Sequence, residues 1–284
     1  MELKIYLVSA LVSAAIWSLP AAAISLIYGV LRYPNFAIPE LMTLGAYLTL
    51  LLCGFGVPLW VAGIFSALLT GLVALALDQT VFRFVRRAGM LPPVLLSLGV
   101  MLVVQNFVRF VWGNGNLQFP ITPMRPVILA GFIISPIQLI IIATGIAILG
   151  AIFLSLRFTE FGRAIRATST NPELAVVTGV QPERVYAAVL FVAGFLSAVG
   201  GTVLATETSL NPLLGWRVLI PLFAVAILGG LGSVVGAALA ALLVGLASEF
   251  SLLILPSSYK TALAFLVLTL VLLVRPSGLI KSGS

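Results

Sequence analysis

The sequence predicts an all-α integral membrane protein with about eight or nine transmembrane segments, arranged as two pseudo-repeated halves with Gly/Pro-interrupted helices. Three observations point there. Mean hydropathy is +1.23 and only 8% of residues are charged, where a soluble domain carries about a quarter. Runs at 5–30, 58–77, 93–112, 135–156 and 185–206 each hold roughly 20 or more residues with at most one charge, the length a helix needs to cross about 30 Å of hydrocarbon. The runs are continuous, whereas barrel strands would alternate over about ten residues.

The first run opens after "MELK" and continues through Tyr28. Its "LPAAAIS" stretch (19–25) carries the Ala-x-Ala pattern of a cleaved leader, but "MELK" has no net positive charge, so the run is read as a membrane helix. The densest basic sites are Arg83, Arg86 and Arg87; Arg157, Arg163, Arg166 and Arg184; and Arg275 with Lys281. The positive-inside rule places all three in the cytoplasm. Two runs, 93–112 and 135–156, separate the first site from the second, and an even number must separate Arg184 from Arg275. The run 217–251 would be about 52 Å long as one helix, too long for a single crossing. "GGLGS" (229–233) is a chain-reversing cluster. A break there gives four segments, counting 185–206 and one near 257–274. Working backwards, Arg32 lies inside, 36–54 and 58–77 form a hairpin, and the N-terminus lies outside. The total is nine segments, or eight if one Gly-flanked piece only dips into the membrane.

A net charge of +7 and a pI near 10.1 do not imply a nucleic-acid partner, because membrane proteins collect Lys and Arg in cytoplasmic loops facing lipid headgroups. The single cysteine, Cys53, lies in an apolar run and reads as a packed thiol. There is no histidine, the commonest metal ligand and proton shuttle. No cofactor or metal is expected, and no nucleophile–base pair suggests a membrane enzyme.

Two stretches share a layout. "RYPNFAIPELMTLGAYLTLLLCGFGVPLWVAGIFSALLTGLVAL" (32–75) and "SLNPLLGWRVLIPLFAVAILGGLGSVVGAALAALLVGL" (209–246) each run from polar and proline residues into a short apolar segment, a Gly-containing turn and another helix. Pro34-Asn35 matches Asn211-Pro212, and Pro39 matches Pro221. Paired interrupted segments mark a transporter's substrate path, because irregular backbone at membrane depth must be buried in protein or line a cavity. Close packing of small residues is the alternative, but packing alone requires neither the prolines nor the asparagines.

Gln105, Asn106 and Arg109 lie three and four apart on 93–112 and are expected on one face. Arg109 either snorkels outward or takes a direct part. Glu40 begins a short helix, where the helix dipole favours it. Glu207 and Glu249 sit near outer helix ends, where an interfacial charge is tolerated.

The stretch "RFTEFGRAIRATSTNPELAVVTGVQPERV" (157–185) is the largest polar island. Thr159 suits an N-cap for a short helix at 160–168. Asn171 caps a second, with Pro172 at its first position, Glu173 in its first turn and Gly179 ending it. Two well-capped helices joined by a few residues predict a docking element more than a solvated loop, and Leu174, Ala175, Val176 and Val177 suit a groove on a partner.

"YGVLRYPNFAIPELMTLGAYL", "GRAIRATSTNPELAVVTGV", "AVAILGGLGSVVGA" and "LLVRPSGL" resemble the signature segments of Liv-type permeases. These are the membrane subunits of branched-chain amino-acid ABC importers, with urea and short-chain amide relatives. The resemblance implies a single permease domain over 1–284 in a bacterial inner membrane. It implies that 157–184 is the ATPase-coupling loop, with Glu160, Gly162, Arg163, Arg166, Ala167, Asn171, Glu173, Ala175 and Gly179 as the coupling surface. It places the translocation path around Asn35 and 221–233, hence Gly229, Gly230 and Gly232; with the intramembrane polar residues Glu40, Gln105 and Asn106 read above, these are the path candidates. Its partners would be two ATPase subunits, a second similar permease and a periplasmic binding protein. One departure touches the substrate: the family's "NFAHGE" is "NFAIPE" here, so Ile38 and Pro39 replace a His and a Gly, and a proline stiffens the start of the helix.

The chain has no G-x-x-x-x-G-K-[ST] phosphate loop, so ATP would be hydrolysed on separate subunits. The alternatives are urea or short-chain amides as cargo, or a stand-alone secondary carrier. An ion-coupled carrier usually holds an ionisable group deep in the membrane, and Asp78 sits at the inner boundary.

Overall fold

In this computed structural model, residues 2–86, 88–121, 125–129 and 132–253 are described, with 256, 262, 266, 268–271, 273, 275 and 278–280 beyond them. The helices in chain order are α1 (Glu2–Leu31), α2 (Ile38–Gly54), α3 (Leu59–Val85), α4 (Leu91–Trp112), α5 (Pro136–Phe158), α6 (Glu160–Thr170), α7 (Pro172–Val177), α8 (Pro182–Glu207), α9 (Leu214–Gly229) and α10 (Val234–Phe250). Among the described residues six are long and apolar enough to cross a membrane: α1, α3, α4, α5, α8 and α10. The other two apolar helices, α2 and α9, have 17 and 16 residues. Each therefore covers only about 25 Å, less than the full hydrocarbon thickness. Most of the expected segment 257–274, and the basic residues Arg87 and Lys281, lie outside the described residues.

The break expected in 217–251 is present. Gly230 and Gly232 take φ of 94° and 100°, a left-handed conformation that glycine adopts without penalty, and Ser233 caps α10 by accepting the Gly236 N–H at 3.0 Å. Besides helix, a short antiparallel ladder between α4 and α5 pairs β1 (Val127–Leu129) with β2 (Phe132–Ile134). Three-residue strands leave no periodic signal, and the sequence reading did not anticipate them.

The centre of the bundle is α1 and α8. Of their most apolar stretches, 78% and 72% are buried, against 11% in α5, which is therefore a rim helix. Small residues let α8 reach the centre. Gly194 packs on Ala74 of α3, Gly200 on Pro20 of α1, and Gly201 on Met42 of α2, where an added Cβ would lie 2.0 Å from the Met42 carbonyl oxygen.

The basic loops gather at one end, as the charge parity requires. Arg32 donates to the Ser169 carbonyl at 2.7 Å, Arg86 pairs with Glu183 at 2.6 Å, and Leu279 N–H donates to the Leu228 carbonyl beside the α9–α10 turn at 2.8 Å. In the middle of the bundle α2 and α9 run antiparallel. Phe36, just ahead of α2, stacks on Phe223 of α9 with centroids 4.7 Å apart, and the first turn of α9 meets Thr43, where Gly215 N–H donates to Oγ1 at 2.8 Å.

Candidate functional site

The two asparagines of the repeat play one role. Asn35 Oδ1 accepts the Ala37 N–H at 2.9 Å, three residues before α2 begins. Asn211 Oδ1 accepts the Leu213 N–H at 2.9 Å, three residues before α9 begins. Both are buried Asx turns that start a short helix inside the protein. The prolines do not correspond in the same way: Pro39 lies in the first turn of α2, whereas Pro221 lies inside α9. The helices enter from opposite ends of the bundle, as in an inverted pair of broken helices.

Glu40 sits where these two helix beginnings meet. It is fully buried in the first turn of α2. Its Oε1 accepts Gln105 Nε2 at 3.2 Å, while Oε2 has no hydrogen-bond partner among the described residues. The Thr43 side chain, the Trp216 peptide in the first turn of α9 and the Arg109 guanidinium lie around this carboxyl. Two helix N-termini thus direct their positive ends at one acidic group. Ser97 Oγ accepts the Phe36 N–H at 3.1 Å, which ties α4 to the same turn.

The structure brings together Asn35, Glu40 and Gln105, but not the remaining path candidates. Asn106 is exposed on the other face of α4, where Nδ2 donates to the Leu102 carbonyl at 2.8 Å; neighbouring helix residues point about 100° apart. Gly229, Gly230 and Gly232 form the α9–α10 turn at the basic end, where a Cβ on Gly236 would lie 1.9 Å from the Gly229 carbonyl oxygen. Gly232 lines a cavity of about 610 Å³ there with Arg32, Arg157, Arg166 and Ser233.

The polar island folds as two capped helices. Thr159 Oγ1 accepts the Gly162 N–H at 3.3 Å, and Asn171 Oδ1 accepts from Glu173 N at 3.0 Å and Leu174 N at 3.2 Å. Gly179 ends α7 with φ 87°. Its N–H reaches the Val176 carbonyl and that of Val180 reaches Ala175, both at 3.0 Å, which is a complete Schellman termination. Of the expected coupling residues, Glu160, Arg163, Arg166, Glu173 and Gly179 are exposed, and Ala167 and Asn171 are half-buried. Gly162 and Ala175 are buried. A Cβ on Gly162 would lie 1.9 Å from the Leu156 carbonyl oxygen, so this glycine seats α6 against the end of α5. Arg166 donates to the same Leu156 carbonyl. Leu174, Val176 and Val177 are 63%, 58% and 83% exposed, an apolar ridge on the projecting helix.

The family described as the branched-chain amino acid transport system / permease component matches residues 6–274. This chain belongs to that family. The permease is 28% identical to the high-affinity branched-chain amino acid transport system permease protein BraD of Pseudomonas aeruginosa, over 96% of this chain and 94% of that protein. It is also 28% identical to the permease protein LivH of Escherichia coli K12, over 93% and 91%. Similarity extends to a probable branched-chain amino acid transport permease protein LivH of Methanocaldococcus jannaschii, at 26% identity over 97% and 92%. Among solved structures, a chain of PsaBC from Streptococcus pneumoniae, in complex with Fab, shares the fold with a TM-score of 0.50 at 15% identity, over 95% of this chain and 91% of that one. The permease is a multi-pass membrane protein of a transporter family.

Sequence reasoning missed two polar clusters of the permease. Thr49 Oγ1 lies 2.6 Å from Ser66 Oγ and 2.9 Å from Thr202 Oγ1, joining α2, α3 and α8. Isolated hydroxyls in apolar runs give no pattern to read. At the basic end Arg86 bonds Asp78, in the π-helical turn of α3, and Glu183 at the start of α8, and lies over the Tyr186 ring at 4.5 Å. Arg86 and Asp78 eight apart were the available signal, hidden because Arg86 was counted only as a topogenic charge. Tyr33, in the turn after α1, stacks on Phe82 nearby, and burial raises its phenol above the usual range.

Proposed function

We propose that this permease is the membrane subunit of an ABC importer carrying branched-chain amino acids across a bacterial inner membrane. It works with two ATPase subunits, a second similar permease and a periplasmic binding protein. The cargo follows from the names of its relatives. The observation that carries the coupling role is the α6–α7 projection: two helices with side-chain caps at both starts, seated by Gly162, with Leu174, Val176 and Val177 exposed. An apolar ridge on a short rigid helix suits insertion into a groove on a motor subunit. The path runs along the α2–α9 contact past Asn35, Glu40 and Gln105, where interrupted backbone is enclosed by protein.

Reconstitution tests this reading. Proteoliposomes holding the permease with its ATPases, second permease and binding protein are expected to accumulate leucine only with internal-side ATP. Accumulation by the permease alone under an ion gradient would instead establish a stand-alone carrier.

A further inference from the structure

At the end of the bundle opposite the basic loops, a cavity of about 360 Å³ is lined by Arg109, Asn114, Asn116, Asn211, Pro212 and Arg217, with Leu213. Its volume falls within the range of small-molecule sites, about 300–1,000 Å³. The loop after α4 and the loop before α9 close one wall, through paired hydrogen bonds between Leu117 and Leu210 at 2.8 and 2.9 Å. The buried Asx turn of Asn211 fixes the second loop.

The charge pattern of this cavity is unusual for its location. Cations are sparse on the face away from the cytoplasm, yet two guanidiniums converge here with no carboxylate among the lining residues. Neither guanidinium has an ion pair or a hydrogen bond among the described residues, and that of Arg109 also stands within electrostatic reach of the Glu40 carboxyl. Arg109 stands one turn beyond Gln105, which holds Glu40, so the cavity lies directly outside the enclosed carboxyl at the α2–α9 junction. The first turn of α9, with Arg217 in it, brings the positive end of a 16-residue helix to the same place.

We propose that Arg109 and Arg217 bind the carboxylate of the incoming amino acid at the outer mouth of the path and make the permease selective for carboxylate-bearing cargo. This rests on the importer reading above and specifies the chemistry of its entrance. A planar guanidinium matches a carboxylate through two parallel charge-assisted hydrogen bonds. A neutral amide or urea has no charge to replace the water that two guanidiniums lose, so it is disfavoured at this site.

The test uses the complete reconstituted importer with R217Q, R217K and R109Q. Arg217 is exposed, so R217Q folds even if R109Q, next to Glu40, does not. Three quantities are read: leucine moved per ATP hydrolysed, affinity of the binding protein for the membrane complex, and ATP hydrolysis stimulated by loaded binding protein. The expected result is a fall in leucine moved per ATP of about tenfold or more for R217Q, partial recovery in R217K, and unchanged binding-protein affinity. Normal coupling in both R217Q and R109Q overturns the proposal. So does a loss confined to binding-protein affinity, which would assign the arginines to protein docking. A wild-type importer that moves no leucine overturns the functional reading, and this proposal with it.

Discussion

Gly215 and Pro39 are in backbone contact: a Cβ on Gly215 would lie 2.0 Å from the Pro39 carbonyl oxygen and 2.8 Å from Thr43 Oγ1. Two helices that start inside the protein are therefore locked together at their first turns. Substituting Gly215 with alanine forces α9 away from α2 and is expected to lower stability by about 1–3 kcal/mol. Replacing Thr43 by valine leaves the buried Gly215 N–H without its acceptor, at a cost of about 1–3 kcal/mol. Thermal unfolding of the detergent-purified chain, followed by size-exclusion chromatography, checks both. An unchanged midpoint for Gly215→Ala would mean that the junction is loose.

Glu40→Gln separates charge from shape. The carboxyl is fully enclosed, with one oxygen bonded to Gln105 and the other without a hydrogen-bond partner among the described residues. Removing a buried, incompletely paired charge does not destabilise a fold that can still make the amide hydrogen bond. The variant is expected to keep its unfolding midpoint while leucine uptake by the reconstituted importer falls by about tenfold or more. Retained uptake would show that Glu40 only fixes the α2–α9 junction.

Much of this architecture is legible in the sequence because hydrocarbon thickness imposes length and charge parity imposes sidedness. The split at 229–233 followed from span length and charge parity together with the Gly/Ser cluster that located it, and Gly230 and Gly232 do turn the chain there. The caps at Thr159 and Asn171 were readable because capping is local. What failed was facing. Gln105 and Asn106 were assigned one face, yet only Gln105 meets a partner in the bundle, and an apolar helix with no polar stripe gives no moment from which to choose. The reversal at 229–233 was legible, and four segments between Arg184 and Arg275 already put it at the basic end; what was not legible is that Gly229, Gly230 and Gly232 therefore stand apart from Glu40 and Gln105, because depth is set by the helices packed around them.

Gly162→Leu and Glu173→Lys are expected to stop uptake for different reasons. A side chain at 162 collides with the Leu156 carbonyl and lifts α6 from α5, so limited proteolysis within 157–184 should quicken. Glu173 is exposed in the first turn of α7, so Glu173→Lys should leave protease resistance intact and weaken co-purification with the ATPase subunits. Full uptake by both variants would move the coupling surface elsewhere. Asn171→Ala tests the same surface by removing the cap of α7, at about 0.5–2 kcal/mol.

Arg86 joins the end of α3 to the start of α8, and its two acidic partners differ in burial. The Asp78 side chain is 4% exposed and that of Glu183 is 57% exposed. Arg86→Ala leaves the Asp78 carboxylate buried without its cation, which is expected to cost about 3–5 kcal/mol. Glu183→Gln removes an exposed partner and is expected to cost under about 1 kcal/mol. Adding Asp78→Asn to Arg86→Ala should restore most of the lost stability, because the uncompensated charge is gone. A double-mutant cycle on unfolding midpoints reads this directly. If Arg86→Ala alone matches wild type, Asp78 is neutral in the folded chain and neither its pairing with Arg86 nor the Arg86–Tyr186 contact contributes to stability.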